Sequence, residues 1–285
     1  MAGYRIIARN GVDELGEGPL WSAGTGRLLW VDIMGQHVRA LDLASGAVNG
    51  WAMPERVGWV AERRDGTLLA GFKSGIVALT LDPVAATPFA QPEADRPHNR
   101  LNDAKVDAAG RLWFGSKDDR DREPLGALYR LDPDGAVTRM DDGYHVTNGP
   151  TFSPDGRWLY HTDSGRRRVY RFALGTDGSL GEREDFITFA DDWGYPDGMT
   201  ADAEGCLWIA HWDGARVSRF DPDGALMRSI ALPARNVTSC AFAGAALDRL
   251  FVTSAAIDSP GTPADGALFE VDPGVAGLAP TAFAG

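Results

Sequence analysis

Cysteine is nearly absent: Cys206 and Cys240 are the only two in 285 residues. Two lone thiols in a chain of this size imply no disulfide framework and fit a reducing compartment. Positive charge is in deficit, with 28 Lys and Arg against 40 Asp and Glu and a formal net charge of −12. A surface of that sign repels nucleic-acid phosphates and anionic membranes, so neither is expected as a partner. No stretch approaches the ~18 consecutive apolar residues that a membrane-spanning helix needs. Met1–Asn10 shows neither the apolar core nor the small-residue cleavage site of a secretory signal. The expected setting is therefore soluble and cytoplasmic. Helical periodicity is also almost missing, so regular structure has to be sought in strands.

Glycine, proline and tryptophan are plentiful, at 35, 17 and 9 residues. That usage points to many short strands joined by tight turns. A hydrophobic fraction of 44% is ample to bury a core. The strands also repeat. A Gly-containing turn followed by an aromatic or β-branched strand recurs at Gly26–Val31, Gly66–Gly71, Gly110–Gly115, Gly156–His161, Gly205–Ala210 and Leu247–Val252. Measured at Trp30, Ala70, Phe114, Tyr160, Ile209 and Val252, the steps are 40, 44, 46, 49 and 43 residues. Each suits one four-stranded propeller blade of about 40–50 residues. A second strand follows each copy, at His37–Leu43, Gly75–Leu81, Gly126–Leu131, Arg168–Phe172, Ala215–Phe220 and Gly266–Val271.

The expected fold is all-β: a six-bladed β-propeller of four-stranded antiparallel blades, with residues 1–285 forming a single domain. Tyr4–Arg9 alternates enough to be a strand and is expected to complete the last blade, closing the ring and removing an exposed sheet edge. The Pro- and Ala-rich Asp82–Asp95 reads as a loop. Trp113, Trp158 and Trp208 are expected at matched positions in the core between blades.

In a propeller the innermost strand of each blade lines a central channel, so equivalent positions converge on the axis. Glu17 lies 13 residues before Trp30, and Gly58, Asn102, Asn148 and Asp197 lie 12 before their own anchors. In the last copy Ser239 and Cys240 lie 13 and 12 before Val252. Asn-Gly and Asp-Gly are ordinary turn dipeptides taken singly, but Glu17, Asn148 and Asp197 recur at matched blade positions. Carboxylate and amide oxygens without His or Cys describe a hard-cation site, and three protein ligands leave coordination places open for chemistry.

These segments carry a resemblance. Leu15-Gly16-Glu17-Gly18-Pro19, Arg100-Leu101-Asn102-Asp103, Thr147-Asn148-Gly149-Pro150, Ser153-Pro154-Asp155-Gly156, Tyr195-Pro196-Asp197-Gly198-Met199 and Thr238-Ser239-Cys240 follow one another in an order and spacing that resembles the SMP-30/gluconolactonase/luciferin-regenerating-enzyme-like family. The resemblance implies a propeller with one central divalent metal ion, held by Glu17, Asn148 and Asp197. It implies that Arg100 and Asn102 hold substrate hydroxyls and that Asp119 contacts the sugar. The family often has Met where this chain has Lys117, so the Lys117–Arg120 loop is where sugar preference would be decided. The implied reaction is hydrolysis of a sugar lactone to the aldonic acid, with the metal polarising the carbonyl and Asp197 as candidate general base.

Oxygen ligands permit Ca, Mg, Mn, Zn or Fe, so the identity of the metal stays open, as do the particular sugar and the oligomeric state. Two alternatives remain: a phosphotriesterase-like hydrolase on the same scaffold, and a non-catalytic metal- or sugar-binding protein. Among other polar residues, His145 is the histidine nearest Asn148 in sequence, Trp193 and Tyr195 are candidate pocket walls, and Cys240 reads as a buried inert thiol.

Overall fold

The computed structural model describes residues 3–285. β1 (Tyr4–Ile6) precedes a first blade of β2 (Gly16–Ser22), β3 (Arg27–Asp32), β4 (His37–Asp42) and β5 (Val48–Ala52). The second blade holds β6 (Val57–Glu62), β7 (Leu68–Phe72), β8 (Gly75–Leu81) and β9 (Val84–Ala90). The third holds β10 (Asn99–Val106), β11 (Leu112–Asp118), β12 (Gly126–Leu131) and β13 (Val137–Tyr144). β14 (Thr147–Phe152), β15 (Trp158–Asp163), β16 (Arg168–Ala173) and β17 (Glu184–Thr188) make the fourth. β18 (Tyr195–Ala201), β19 (Leu207–Trp212), β20 (Arg216–Phe220) and β21 (Leu226–Ala231) make the fifth. The last blade combines β22 (Asn236–Ala243), β23 (Arg249–Ala255) and β24 (Phe269–Val271) with β1. The fold is thus a six-bladed β-propeller of four-stranded antiparallel blades.

The expected ring closure is present. Tyr4, Arg5 and Ile6 pair with Val271, Glu270 and Phe269, so β1 covers the edge of β24. Tyr4 also stacks edge-on against Phe269 with ring centroids 5.8 Å apart.

Each blade packs its flat face on the next, because strand residues alternate between two faces and both are apolar. Leu29 and Val31 of β3 meet Val57, Val60 and Phe72 of the second blade. Further round, Trp59 and Leu69 meet Leu112 and Phe114, and Tyr160 meets Met199 and Ile209. Each fully buried side chain of this size stabilises by roughly 1.5–3 kcal/mol relative to exposure.

The recurring Asp-x-x-Gly turn has a physical basis. Asp107 Oδ1 accepts from Ala109 N and Arg111 N, while Gly110 donates its N–H back to the Asp107 carbonyl from φ +82°. Asp107 Oδ2 accepts from Arg111 Nε at 2.6 Å and from the Trp113 indole N–H at 2.8 Å. Asp202 repeats the arrangement with Glu204, Cys206 and Trp208. Asp13 Oδ2 receives the Trp30 indole at 2.9 Å. Trp113 and Trp208 are therefore equivalent tryptophans, and Trp30, two residues beyond the matching Leu28, shares their strand face; all three are fully buried.

Two expectations shift accordingly. Trp158 sits one position off this set, half-buried beneath the Arg171 guanidinium, and Leu159 takes the core place. In the first blade Leu29, opposite Leu20, is the true counterpart of Ala70, so Glu17 too lies 12 residues before its anchor. Asp82–Asp95 is also not simply a loop: Val84–Ala90 is β9, the outer strand of the second blade. Its residues are nearly all exposed, so no alternation marks it. An edge strand also tolerates Pro88, whose missing N–H breaks no inner ladder.

Candidate active site

All six inner strands lose their regular pairing near the same end. The breaks lie between Glu17 and Leu20, Val57 and Trp59, Leu101 and Ala104, Asn148 and Thr151, Pro196 and Met199, and Val237 and Ser239. A bulge leaves a residue unpaired and re-aims its side chain. The residues at the breaks include Glu17, Gly58, Asn102, Asn148, Asp197 and Thr238. In the last blade the expected pair is displaced: Ser239 and Cys240 pair regularly with Thr253 and Val252, and the bulge falls at Thr238. Thr238 turns its hydroxyl to the Gly16 carbonyl and the Thr253 hydroxyl.

Glycine makes two of these bulges possible. Gly149 sits at φ +46°, and an added Cβ would come within 2.8 Å of Met199 Cγ and N. At Gly58 a Cβ would meet the Leu101 carbonyl oxygen at 2.5 Å, so the second blade contributes backbone and no side chain.

Glu17, Arg100, Asn102, Asp119, Asn148 and Asp197 all line one cavity of about 600 Å³, together with Arg56, Lys117, His145, Tyr195 and Trp212. Asn148 is fixed from both sides: its Nδ2 donates to Ser164 Oγ at 2.9 Å, and its Oδ1 accepts from Asn102 Nδ2 at 2.7 Å. Ser164 in turn donates to the Pro196 carbonyl at 2.6 Å, tying the fourth blade to the strand that carries Asp197. Asn102 Oδ1 accepts from Arg100 Nη1, and Glu17 Oε2 accepts from Gly18 N at 3.0 Å.

The charges in this cavity are costly as they stand. Burial raises Glu17 to about 8, and the neighbouring Asp103 carboxylate adds to the rise. Asp197 is pushed well up, first by burial and then by Glu17 and Asp103. Asp197 Oδ1 is buried without a hydrogen-bond partner, and such a group carries a desolvation cost unless something meets it. Among the described residues no three His, Cys, Asp or Glu side chains group closely enough to hold an ion by themselves. The Asn148 amide oxygen lines the same cavity and would add to such a set. An all-oxygen donor group with two or more desolvated carboxylates fits a hard divalent cation, which would relieve both the orphaned oxygen and the repulsion.

Residues 15–256 match the family described as SMP-30/Gluconolactonase/LRE-like region. The chain belongs to this family. Among its relatives is the 6-deoxy-6-sulfogluconolactonase of Pseudomonas putida, 36% identical over 278 residues that cover 95% of each chain. Pentonolactonase XacC of Haloferax volcanii is 36% identical over 269 residues, 91% of each. Of solved structures, the calcium-binding protein regucalcin from Agrobacterium tumefaciens superposes with a TM-score of 0.93 at 30% identity, covering 99% of this chain and 97% of that one.

Beyond the six residues expected from the SMP-30/gluconolactonase pattern, the structure adds four. Asp103 follows Asn102 in the same bulge and accepts from Gly149 N at 2.7 Å, so its charge reaches Glu17 and Asp197. Lys105, half-buried on the side of a second cavity, donates to the Met199 carbonyl and Thr200 Oγ1. Arg56 and Lys73 both hold Asp119 Oδ2, at 2.7 and 2.8 Å, while Arg100 Nε holds Oδ1 at 3.2 Å. Burial pushes Asp119 up, but the Lys73 hydrogen bond and the two arginines outweigh it, and the carboxyl stays below its ordinary value.

Asp103 was visible in the Arg100–Asp103 segment; Arg56 and Lys73 fall in no repeated position. Tyr195 lines the cavity as a wall, whereas Trp193 packs on Phe189, His211 and Phe220. Cys240 is buried, its thiol raised to about 12 by burial, and it lines a separate cavity of about 300 Å³ further along the inner strands.

Proposed function

We propose that this protein is a metal-dependent sugar lactonase that opens an aldonolactone to the aldonic acid. The observation that carries the reading is the meeting of Glu17, Asn148 and the unpartnered Asp197 Oδ1 in one cavity with the paired donors Arg100 and Asn102. The relatives in P. putida and H. volcanii, both named as sugar lactonases, support it. The name regucalcin, given to a calcium-binding structural neighbour, supports a divalent ion at Glu17, Asn148 and Asp197; Ca, Mg, Mn, Zn and Fe all suit oxygen ligands.

When bound, such an ion supplies Lewis acidity that polarises the lactone carbonyl. The residues do the rest. Asp197 takes the proton of the attacking water as its oxygen adds to the carbonyl carbon. The ring C–O bond then breaks, and the proton is returned to the departing ring oxygen. Arg100 presents a planar fork of donors, and Asn102 carries both donor and acceptor, so the two suit vicinal sugar hydroxyls. Tyr195 and Trp212 wall the cavity and exclude water from the sugar face.

The test is a panel of aldonolactones and paraoxon-like esters, assayed after chelation and after re-addition of single metals. Lactone turnover is expected to vanish on chelation and return with metal. Asp197→Asn should lower kcat on the order of 10²- to 10⁴-fold, the range of general acid–base contributions. Turnover of the phosphoesters alone, or undiminished lactone hydrolysis in Asp197→Asn, overturns the reading.

A further inference from the structure

With Glu17 and Asp197 given to a divalent ion, one wall of the cavity holds more positive charge than its remaining carboxylates balance. Arg100 on β10 stands directly opposite Lys117 on β11 in the antiparallel register. Like charges placed opposite each other across a sheet repel, and this pair is buried, with 7% and 9% of the side chains exposed. Burial lowers the Lys117 ammonium, and the Arg100 charge lowers it further.

Their counterions are shared thinly. Asp119 serves Arg56, Lys73 and Arg100 at once, at 2.7, 2.8 and 3.2 Å. Lys117 has only Asp121, at 2.5 Å, and that side chain is 58% exposed at the rim. Glu17 also acts on Arg100, and Lys117 acts on Asp197. A divalent ion held by Glu17 and Asp197 would take up both charges and leave four cations to Asp119 and Asp121, the latter free to swing into solvent. Asp258, the other carboxylate on this side, is exposed and screened. A cation charge buried in this way is expensive unless a partner of opposite sign completes it. A sheet position that costs stability in this manner calls for a compensating ligand.

We propose that this wall selects a sugar lactone carrying a second anionic group, a carboxylate, sulfonate or phosphate, at the end of the sugar remote from the lactone carbonyl. The inference rests on the lactonase reading, which places the carbonyl at Glu17, Asn148 and Asp197. Lys117 and Arg100 receive the anion, Arg56 lines the approach, and Asp121 is the counterion that the substrate displaces. Charge-assisted pairs to Lys and Arg are the strong class of hydrogen bond, and Arg adds the bidentate geometry that both planar and tetrahedral oxyanions accept.

The experiment compares kcat/KM for neutral D-glucono-1,5-lactone with the lactones of glucarate, 6-phosphogluconate and 6-deoxy-6-sulfogluconate. Calorimetry on the metal-loaded protein measures binding of the four open-chain acids. One or more anionic lactones should be favoured on the order of 10- to 100-fold, the range of one charge-assisted contact, and their ranking identifies the anion. Lys117→Met should lower that preference at least about tenfold, through KM. Asp121→Asn should raise it by freeing Lys117; residue 121 has φ +52°, which Asn tolerates.

Equal or better turnover of the neutral lactone, or a preference unmoved by Lys117→Met, overturns the inference and leaves the lactonase intact. If no lactone is hydrolysed, the lactonase reading falls, and calorimetry still decides the wall: acids with the second anionic group that bind no tighter than gluconate remove it as well.

Discussion

Burial lifts the Glu17 carboxyl from 4.5 to about 8, and the Asp103 charge contributes in the same direction. The folded-state value lies above the unfolded one. In metal-free protein this group's stabilising contribution is therefore complete below pH about 4.5 and is lost as pH rises through about 8. A bound cation requires the ionised form and reverses the cost. The gap in Tm between metal-loaded and chelated protein is thus expected to widen from pH 5.5 to pH 8.5, and scanning calorimetry with and without EDTA measures it. An equal gap at both pH values contradicts this assignment; Glu17→Gln should narrow it. Glu17, Asn148 and Asp197 were readable because each is a polar residue beside a glycine at a repeated position. Arg56 and Lys73 were not, since no motif surrounds them: Arg56 lines the cavity and holds Asp119, and Lys73 reaches it through Asp119.

At the level of single elements, the bulge rather than the strand positions chemistry. Gly149 keeps Asn148 aimed inward through a left-handed backbone turn packed against Met199. Gly149→Ala meets both the φ penalty and a 2.8 Å contact, so a loss of roughly 1–3 kcal/mol is expected, read as a lower denaturant midpoint together with weaker metal binding. Unchanged stability and metal affinity would show that the inner strand bends for another reason. Element order was legible wherever one face is buried: β8 and β12 begin and end where the pattern placed them. β9 was not, because a strand exposed along nearly its whole length has no hydrophobic period to read. Trp158 misled for a related reason: aromatic identity marks a core place only when strand parity agrees, and Leu159 has the correct parity.

For the whole molecule, closure joins the first strand, β1, and the last, β24, in one sheet. Deleting the chain through Ile6 removes the Tyr4–Phe269 contact and the Arg5–Glu270 pair, and it exposes the β24 edge. A loss of about 1–3 kcal/mol is expected, lowering Tm by about 2–4 °C per kcal/mol, with self-association visible by size-exclusion chromatography. A truncated protein that stays monomeric with an unaltered Tm would contradict this account of closure. The repeat of turn and strand was enough to set blade number, blade order and three convergent oxygen donors, because period and parity are local properties of the chain. Only the folded ring decided which neighbours share the cavity: the bulge at Thr238 instead of Ser239, Asp103 beside Glu17, and Asp119 divided among three cations. Those relations depend on distances between blades, and charge acts through space where sequence records only separation along the chain.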